Sequence, residues 1–134
     1  MIMDGYVHDP SVFSKEKVEN LFFELTNAVS MKMLDKPVVY EVPVDPSILK
    51  KCIETGVFED EGGITGIVVI STSHMSIHCW PLQSFFSLDV FSCKDFDADK
   101  IVSVIRESLV VTSDNTKILS RRRPECLLPM TEST

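Results

Sequence analysis

Residues 71–93 read Ser-Thr-Ser-His-Met-Ser-Ile-His-Cys-Trp-Pro and run on to Leu-Asp-Val-Phe-Ser-Cys, gathering Ser73, His74, His78, Cys79 and Cys93 into one short stretch. Ser73 follows the apolar run Gly66-Ile67-Val68-Val69-Ile70, which has the character of a fully buried strand. A hydroxyl presented at the end of a core strand, an imidazole five residues on and a thiol on the following strand suit nucleophilic attack with proton transfer.

Two familiar chemistries fit poorly. His74, His78, Cys79 and Cys93 are all competent zinc ligands. Met75–Trp80 alternates as a strand, however, so His74 and His78 stand about 13 Å apart, too far to share an ion, and Cys79 points away from His78. No metal is expected. A serine-hydrolase triad lacks the Gly-x-Ser-x-Gly elbow at Ser73, and Asp89 alternates outward on its strand, so no acid is placed to orient His78. Taken singly, Ser73, His78 and Cys93 are each readable as ordinary structural residues.

The elements that must position these side chains follow from periodicity. Val18, Leu21, Phe22, Leu25, Ala28 and Val29 mark one face of a helix from Ser14, with Ser14 as cap and Glu16 favoured by the helix dipole. Val38–Val44 predicts a strand, and Pro43 predicts an edge position or an early end. Asp45-Pro46 opens a second helix with Ile48, Leu49, Cys52 and Ile53 on its apolar side and Gly56 as its stop; Cys52 is expected in the core. Strands are predicted over 66–72, 75–80 and 85–92, a third helix from Asp97 with Ile101, Val102, Ile105 and Leu109 inward, and a last strand over Thr116–Arg121. Clustered antiparallel strands with helices outside them imply an α+β two-layer sandwich, the helices on one face of the sheet. One domain over 1–123 is expected, followed by a flexible tail over 124–134.

Composition narrows the function. With 44% hydrophobic and 25% charged residues the chain is globular rather than disordered. A net charge of −7 argues against nucleic acid, which needs clustered cations. Arg121-Arg122-Arg123 reads as a solvated end or a carboxylate or subunit contact. No apolar stretch approaches the roughly 20 residues of a membrane span. The four cysteines form no CxxC pair, and Met1-Ile2-Met3-Asp4 shows no secretory leader, so reduced thiols in the cytoplasm are expected. Gly62-Gly63 with Gly66 lacks the spacing of a phosphate loop or dinucleotide fingerprint.

The segment Thr65–Pro81, with Leu88-Asp89-Val90-Phe91-Ser92-Cys93, resembles the prokaryotic S-adenosylmethionine decarboxylases, small pyruvoyl enzymes of polyamine synthesis. The resemblance is strongest over 64–97 and extends more weakly from Tyr6 to Arg123. It implies a self-cleaving proenzyme. Ser73 attacks the Thr72 carbonyl to give an ester, elimination frees a chain ending at Thr72, and residue 73 becomes a covalent pyruvoyl group that forms a Schiff base with the substrate amine. By the same resemblance His78 is the processing acid/base, Thr65 stands where relatives place a serine that assists processing, and Cys93 is the thiol that returns a proton after decarboxylation.

Two departures accompany the resemblance. Thr72 replaces the usual Glu before the cleaved bond, where only the carbonyl is needed. Leu82 replaces the Glu after Trp-Pro that resembles a ribose clamp, and losing such charge-assisted bonds costs about 1.5–3 kcal/mol each. Glu59, Asp60 and Glu61 are candidate replacements and Phe58 a candidate ring for adenine; a solvated turn is the plain alternative for the acidic run. Cys79, commonly Thr in relatives, is expected to pack. The leading expectation is decarboxylation of S-adenosylmethionine to the aminopropyl donor for spermidine. Its alternatives are the same chemistry on ornithine or arginine, or an uncleaved binding protein. The resemblance also implies a homodimer of processed protomers.

Overall fold

Six strands form one antiparallel sheet: Ile2–Val7 (β1), Val38–Val42 (β2), Gly63–Ile70 (β3), Ser73–Trp80 (β4), Phe85–Phe91 (β5) and Val111–Lys117 (β6), in the spatial order β2-β3-β4-β5-β1-β6. The computed structural model describes residues 1–57 and 62–121. Phe58, Glu59, Asp60 and Glu61, and the chain from Arg122 through the expected tail at 124–134, lie outside the described residues.

The helices start and stop where local chemistry dictates. Lys15–Ala28 (α1) begins at Ser14, whose hydroxyl accepts from the Lys17 N–H at 3.1 Å. Pro46–Thr55 (α2) begins at Asp45, which accepts from the Ser47 N–H at 2.8 Å, and ends at Gly56, where φ is +69°. Such a left-handed cap suits glycine. Ala98–Leu109 (α3) begins at Asp97 and ends at Val110, also left-handed.

Alternation along the strands gives the sheet two different faces. Met3, Val39, Ile64, Val68, Met75, Ile77, Phe86, Leu88 and Val90 point inward and are buried beneath Val18, Leu21, Phe22 and Leu25 of α1 and Ile101, Ile105 and Leu109 of α3. Each such aliphatic or aromatic side chain contributes about 1.5–3 kcal/mol when fully buried. Gly66 lets α1 come close: a Cβ there would stand 2.9 Å from the Phe22 ring. Among the described residues the opposite face is open, with Tyr6, Val38, Tyr40, Val42, Ile67 and Val69 each at least 40% exposed. The architecture is the expected α+β two-layer sandwich, with helices on one side of the sheet.

Three differences from the sequence reading have physical causes. β1 was not predicted, although Met3, Gly5 and Val7 alternate inward with Ile2, Asp4 and Tyr6. It enters the sheet between β5 and β6, a long-range pairing that local pattern does not encode. The last strand is β6 at Val111–Lys117, not Thr116–Arg121. Its polar sequence, Val-Thr-Ser-Asp-Asn-Thr-Lys, is tolerated because it is an edge strand, and its position is set by the reversal at Val110. Ser73 opens β4 rather than ending the preceding strand, because the chain reverses at Ser71-Thr72. β2 ends before Pro43 at the sheet edge and Cys52 is buried, both as expected.

Candidate active site

The β3–β4 register pairs Ile70 with Ser73 and leaves Ser71 and Thr72 to make the turn. Thr72 has φ +57°, a left-handed conformation costing about 1–3 kcal/mol in a residue without glycine's freedom, and β-branching makes it rarer still. Its hydroxyl lies 2.8 Å from the Ser71 carbonyl oxygen and 2.8 Å from Cys93 Sγ. Ser73 is buried, and its Oγ accepts from the Cys93 N–H at 3.0 Å. Cys93, two residues past the end of β5, therefore touches both residues flanking the 72–73 peptide bond. A nucleophile that accepts a backbone N–H has a donor in place to stabilise charge developing on its oxygen.

At the far end of the same hairpin, Thr65 is the register partner of His78, and its Oγ1 lies 3.0 Å from His78 Nδ1. The contact fixes the imidazole ring whichever group donates. The His78 ring stands 6.1 Å from that of Trp80, which stacks on Phe85 at 5.6 Å. Val42, Gly63, Thr65, His78 and Trp80 line a pocket here.

The single reactive cluster expected from sequence is thus two clusters. Ser73, Thr72 and Cys93 meet at one sheet end; Thr65 and His78 meet at the other. Five residues of strand separate His78 from Ser73 by about 16 Å, and the exposed His78 faces away from the helices while Ser73 faces them. The sequence places these residues near each other along the chain, but an extended strand spreads them out.

The remaining candidates are quickly placed. Leu82 sits in the 3-10 turn Pro81–Gln83 and is 39% exposed. Phe58, Glu59 and Glu61 lie outside the described residues. Cys79 is buried on the helix side, and burial pushes its thiol up to about 12, leaving it inert near neutrality. His74 stacks on Phe91 at 5.5 Å, and the Arg121 guanidinium lies 4.6 Å from the centre of that ring. Among the described residues, no three His, Cys, Asp or Glu side chains are grouped to hold a metal ion. Sequence reasoning gave Ser71 and Val42 no part in the site and weighed Gly63 only against a phosphate loop. Gly63, at φ +148°, has no room for a Cβ against the Cys79 carbonyl, so the Gly-Gly pair before β3 was a readable signal of close packing beside the pocket.

A family described as S-adenosylmethionine decarboxylase matches residues 1–122. The S-adenosylmethionine decarboxylase proenzyme of Clostridium botulinum (strain Loch Maree / Type A3) is 38% identical over 60 residues, 44% of this chain and 52% of that protein. The chain therefore spans about half the length of that relative in the match. The proenzyme of the same name from Methanococcus maripaludis (strain C7 / ATCC BAA-1331) is 31% identical over 83 residues, 59% of this chain and 67% of that protein. The crystal structure of the adenosylmethionine decarboxylase from Aquifex aeolicus VF5 superposes with a TM-score of 0.62 at 19% identity, covering 92% of this chain and 93% of that one; the fold is shared.

Proposed function

Because this chain belongs to the S-adenosylmethionine decarboxylase family, we propose that it cuts itself between Thr72 and Ser73 and then works as a pyruvoyl-dependent decarboxylase of S-adenosylmethionine. The observation that carries the reading is the grip of Cys93 on both residues of that bond, through its N–H to Ser73 Oγ and its Sγ to the Thr72 hydroxyl.

In the proposed maturation the Ser73 Oγ–carbonyl bond forms as the Thr72–Ser73 amide breaks, and the hydroxyl proton passes to the freed nitrogen. The strained turn favours this step, since residue 72 gains freedom when the amide is lost. Loss of the Ser73 Cα proton then expels Thr72 as a carboxylate, and water releases ammonia to leave a ketone at residue 73. The surroundings fit such a group: Ser73 is buried, a backbone N–H already points at its side-chain oxygen, and a thiol stands beside it. A pyruvoyl group at residue 73 would supply an electron sink for decarboxylating a substrate bound through its amine, and the buried end of β4 with the Cys93 N–H would hold it. Cys93 Sγ lies 2.8 Å from the hydroxyl of Thr72, beside that position, and we assign it the return of a proton to the substrate.

His78 does not reach Ser73 within one protomer, and this supports a homodimer. A second copy stacked on the open sheet face by a two-fold axis across β4 brings its His78–Thr65 end to the edge of the first copy's sheet, where the Thr72–Ser73 bond lies at the turn rather than within the sheet. The exposed Tyr6, Val38, Tyr40, Val42, Ile67 and Val69 suit such burial. His78, oriented by Thr65, then serves processing in trans. The product would be the aminopropyl donor for spermidine.

A second reading keeps the ketone but changes the substrate to a smaller amino acid such as ornithine or arginine. It is favoured by Leu82 and by a His78 pocket that shows no carboxylate among the described residues. No helix among the described residues is long and apolar enough to cross a membrane; we assign a cytoplasmic location and a small-molecule substrate. Denaturing mass spectrometry of the purified chain tests the core claim. We expect fragments of 72 and 62 residues (134 − 72), the second carrying a hydrazine-reactive carbonyl. A chain that stays whole on long incubation makes it an uncleaved binding protein instead. Carbon dioxide release from S-adenosylmethionine, ornithine and arginine separates the two substrates.

A further inference from the structure

We propose that the Thr72 side chain is a positioning residue: acting through Cys93, it holds the uncut turn ready for attack and guards the Cys93 thiol until the chain is cut. The inference rests on the proposed cleavage between residues 72 and 73 and concerns a position where this chain has its own solution.

The Thr72 hydroxyl has one hydrogen and two neighbours, the Ser71 carbonyl and Cys93 Sγ, each at 2.8 Å. A carbonyl is the better acceptor, so the hydroxyl hydrogen goes to Ser71, and the thiol hydrogen completes the contact with Thr72 Oγ1. The result is a short chain, Cys93 S–H to Thr72 O–H to Ser71 C=O, closing over the turn. A β-branched residue at φ +57° is disfavoured on its own. These two contacts, with the Cys93 N–H on Ser73 Oγ, hold residues 72 and 73 in one arrangement.

The same contact occupies the thiol hydrogen. In the uncut chain Cys93 presents it to Thr72. After the Cβ–Oγ bond of residue 73 breaks and Thr72 departs as a carboxylate, residue 72 is no longer tied to residue 73 and the Thr72–Cys93 contact is given up before hydrolysis makes the ketone. The elimination that releases the proton donor thereby also commits residue 73 to the ketone, which hydrolysis then completes.

Three variants separate these effects. Thr72→Val keeps the branching and loses the hydroxyl, whereas Thr72→Ser keeps the hydroxyl. In an uncleavable Ser73→Ala background, iodoacetamide labelling of Cys93, located by peptide mass, reads the guard without any cleavage. Adding Thr72→Val speeds labelling about fivefold and adding Thr72→Ser leaves it within about twofold, as one hydrogen bond implies. In the cleavable chain Thr72→Val lengthens the half-time of cutting about tenfold and Thr72→Ser stays close to the parent. Equal labelling with and without the hydroxyl overturns the guard, and cutting of Thr72→Val at the parental rate overturns the positioning role. If the parent never cuts, the proposed function fails and takes the positioning role with it, while labelling still decides the Thr72–Cys93 contact. Thermal melts of each variant confirm that it remains folded.

Discussion

Ser73 and His78 share strand β4 but face opposite sides of the sheet, Ser73 buried towards the helices and His78 exposed on the open face. The odd separation of five positions fixes this, because successive strand residues alternate sides. Within one hairpin the two side chains therefore do not meet at one bond.

Mixing variants tests the proposed processing in trans directly. Ser73→Ala alone and His78→Ala alone are each expected to remain uncut. Refolded together as the proposed homodimer, they are expected to form heterodimers in which the His78→Ala chain meets an intact His78 from its partner, so about a quarter of all sites are complete. Gel analysis should show that share of cut chain; no cutting in the mixture places both residues in the same protomer.

Thr65 meets the His78 ring at 3.0 Å, and in the proposed processing it acts through that ring. Thr65→Val is expected to slow self-cleavage about tenfold by freeing the ring, and Thr65→Ser to preserve the rate. The comparison is read from timed samples of freshly made protein, with melting temperature as the control for folding.

Gly66 faces α1, where a methyl group would press on Phe22 at 2.9 Å and Val18 at 3.1 Å. Gly66→Ala should destabilise the fold by about 1–3 kcal/mol through overpacking. Urea unfolding with an unchanged slope and a lower midpoint is the expected signature. Phe22→Leu in the same chain should recover part of the loss.

The buried Cys79 thiol couples stability to alkaline pH. Its folded-state value, about 12, exceeds the ordinary thiol value of 9.0, so the unfolded chain loses this proton first as pH rises. The stabilisation is complete below about pH 9 and is lost progressively towards 12, at up to about 1.4 kcal/mol per pH unit. Cys79→Ala, though less stable at neutral pH, should show a shallower alkaline decline in melting temperature. Parallel declines would mean that Cys79 ionises as readily folded as unfolded.

The sequence by itself determined what is local. Ser14, Asp45 and Asp97 announced three helices because a capping side chain acts within three residues of its own position. Alternation in β4 and β5 announced their buried faces and hence an antiparallel sheet under helices, and the identities of Thr65, Ser73, His78 and Cys93 carried the family resemblance; the apolar run of β3 read as buried on both faces, whereas Ile67 and Val69 lie exposed on the open face. Tertiary structure decided what depends on distant partners. It placed β1 between β5 and β6, pairings that span almost the whole chain and leave only a faint period-two trace in the sequence. It also divided the reactive residues, bringing Cys93 to the 72–73 bond from 20 residues away while the extension of β4 carried His78 from its neighbour Ser73 to the other end of the sheet. Nearness along a chain becomes nearness in space only where the backbone turns, and between these two residues it runs straight.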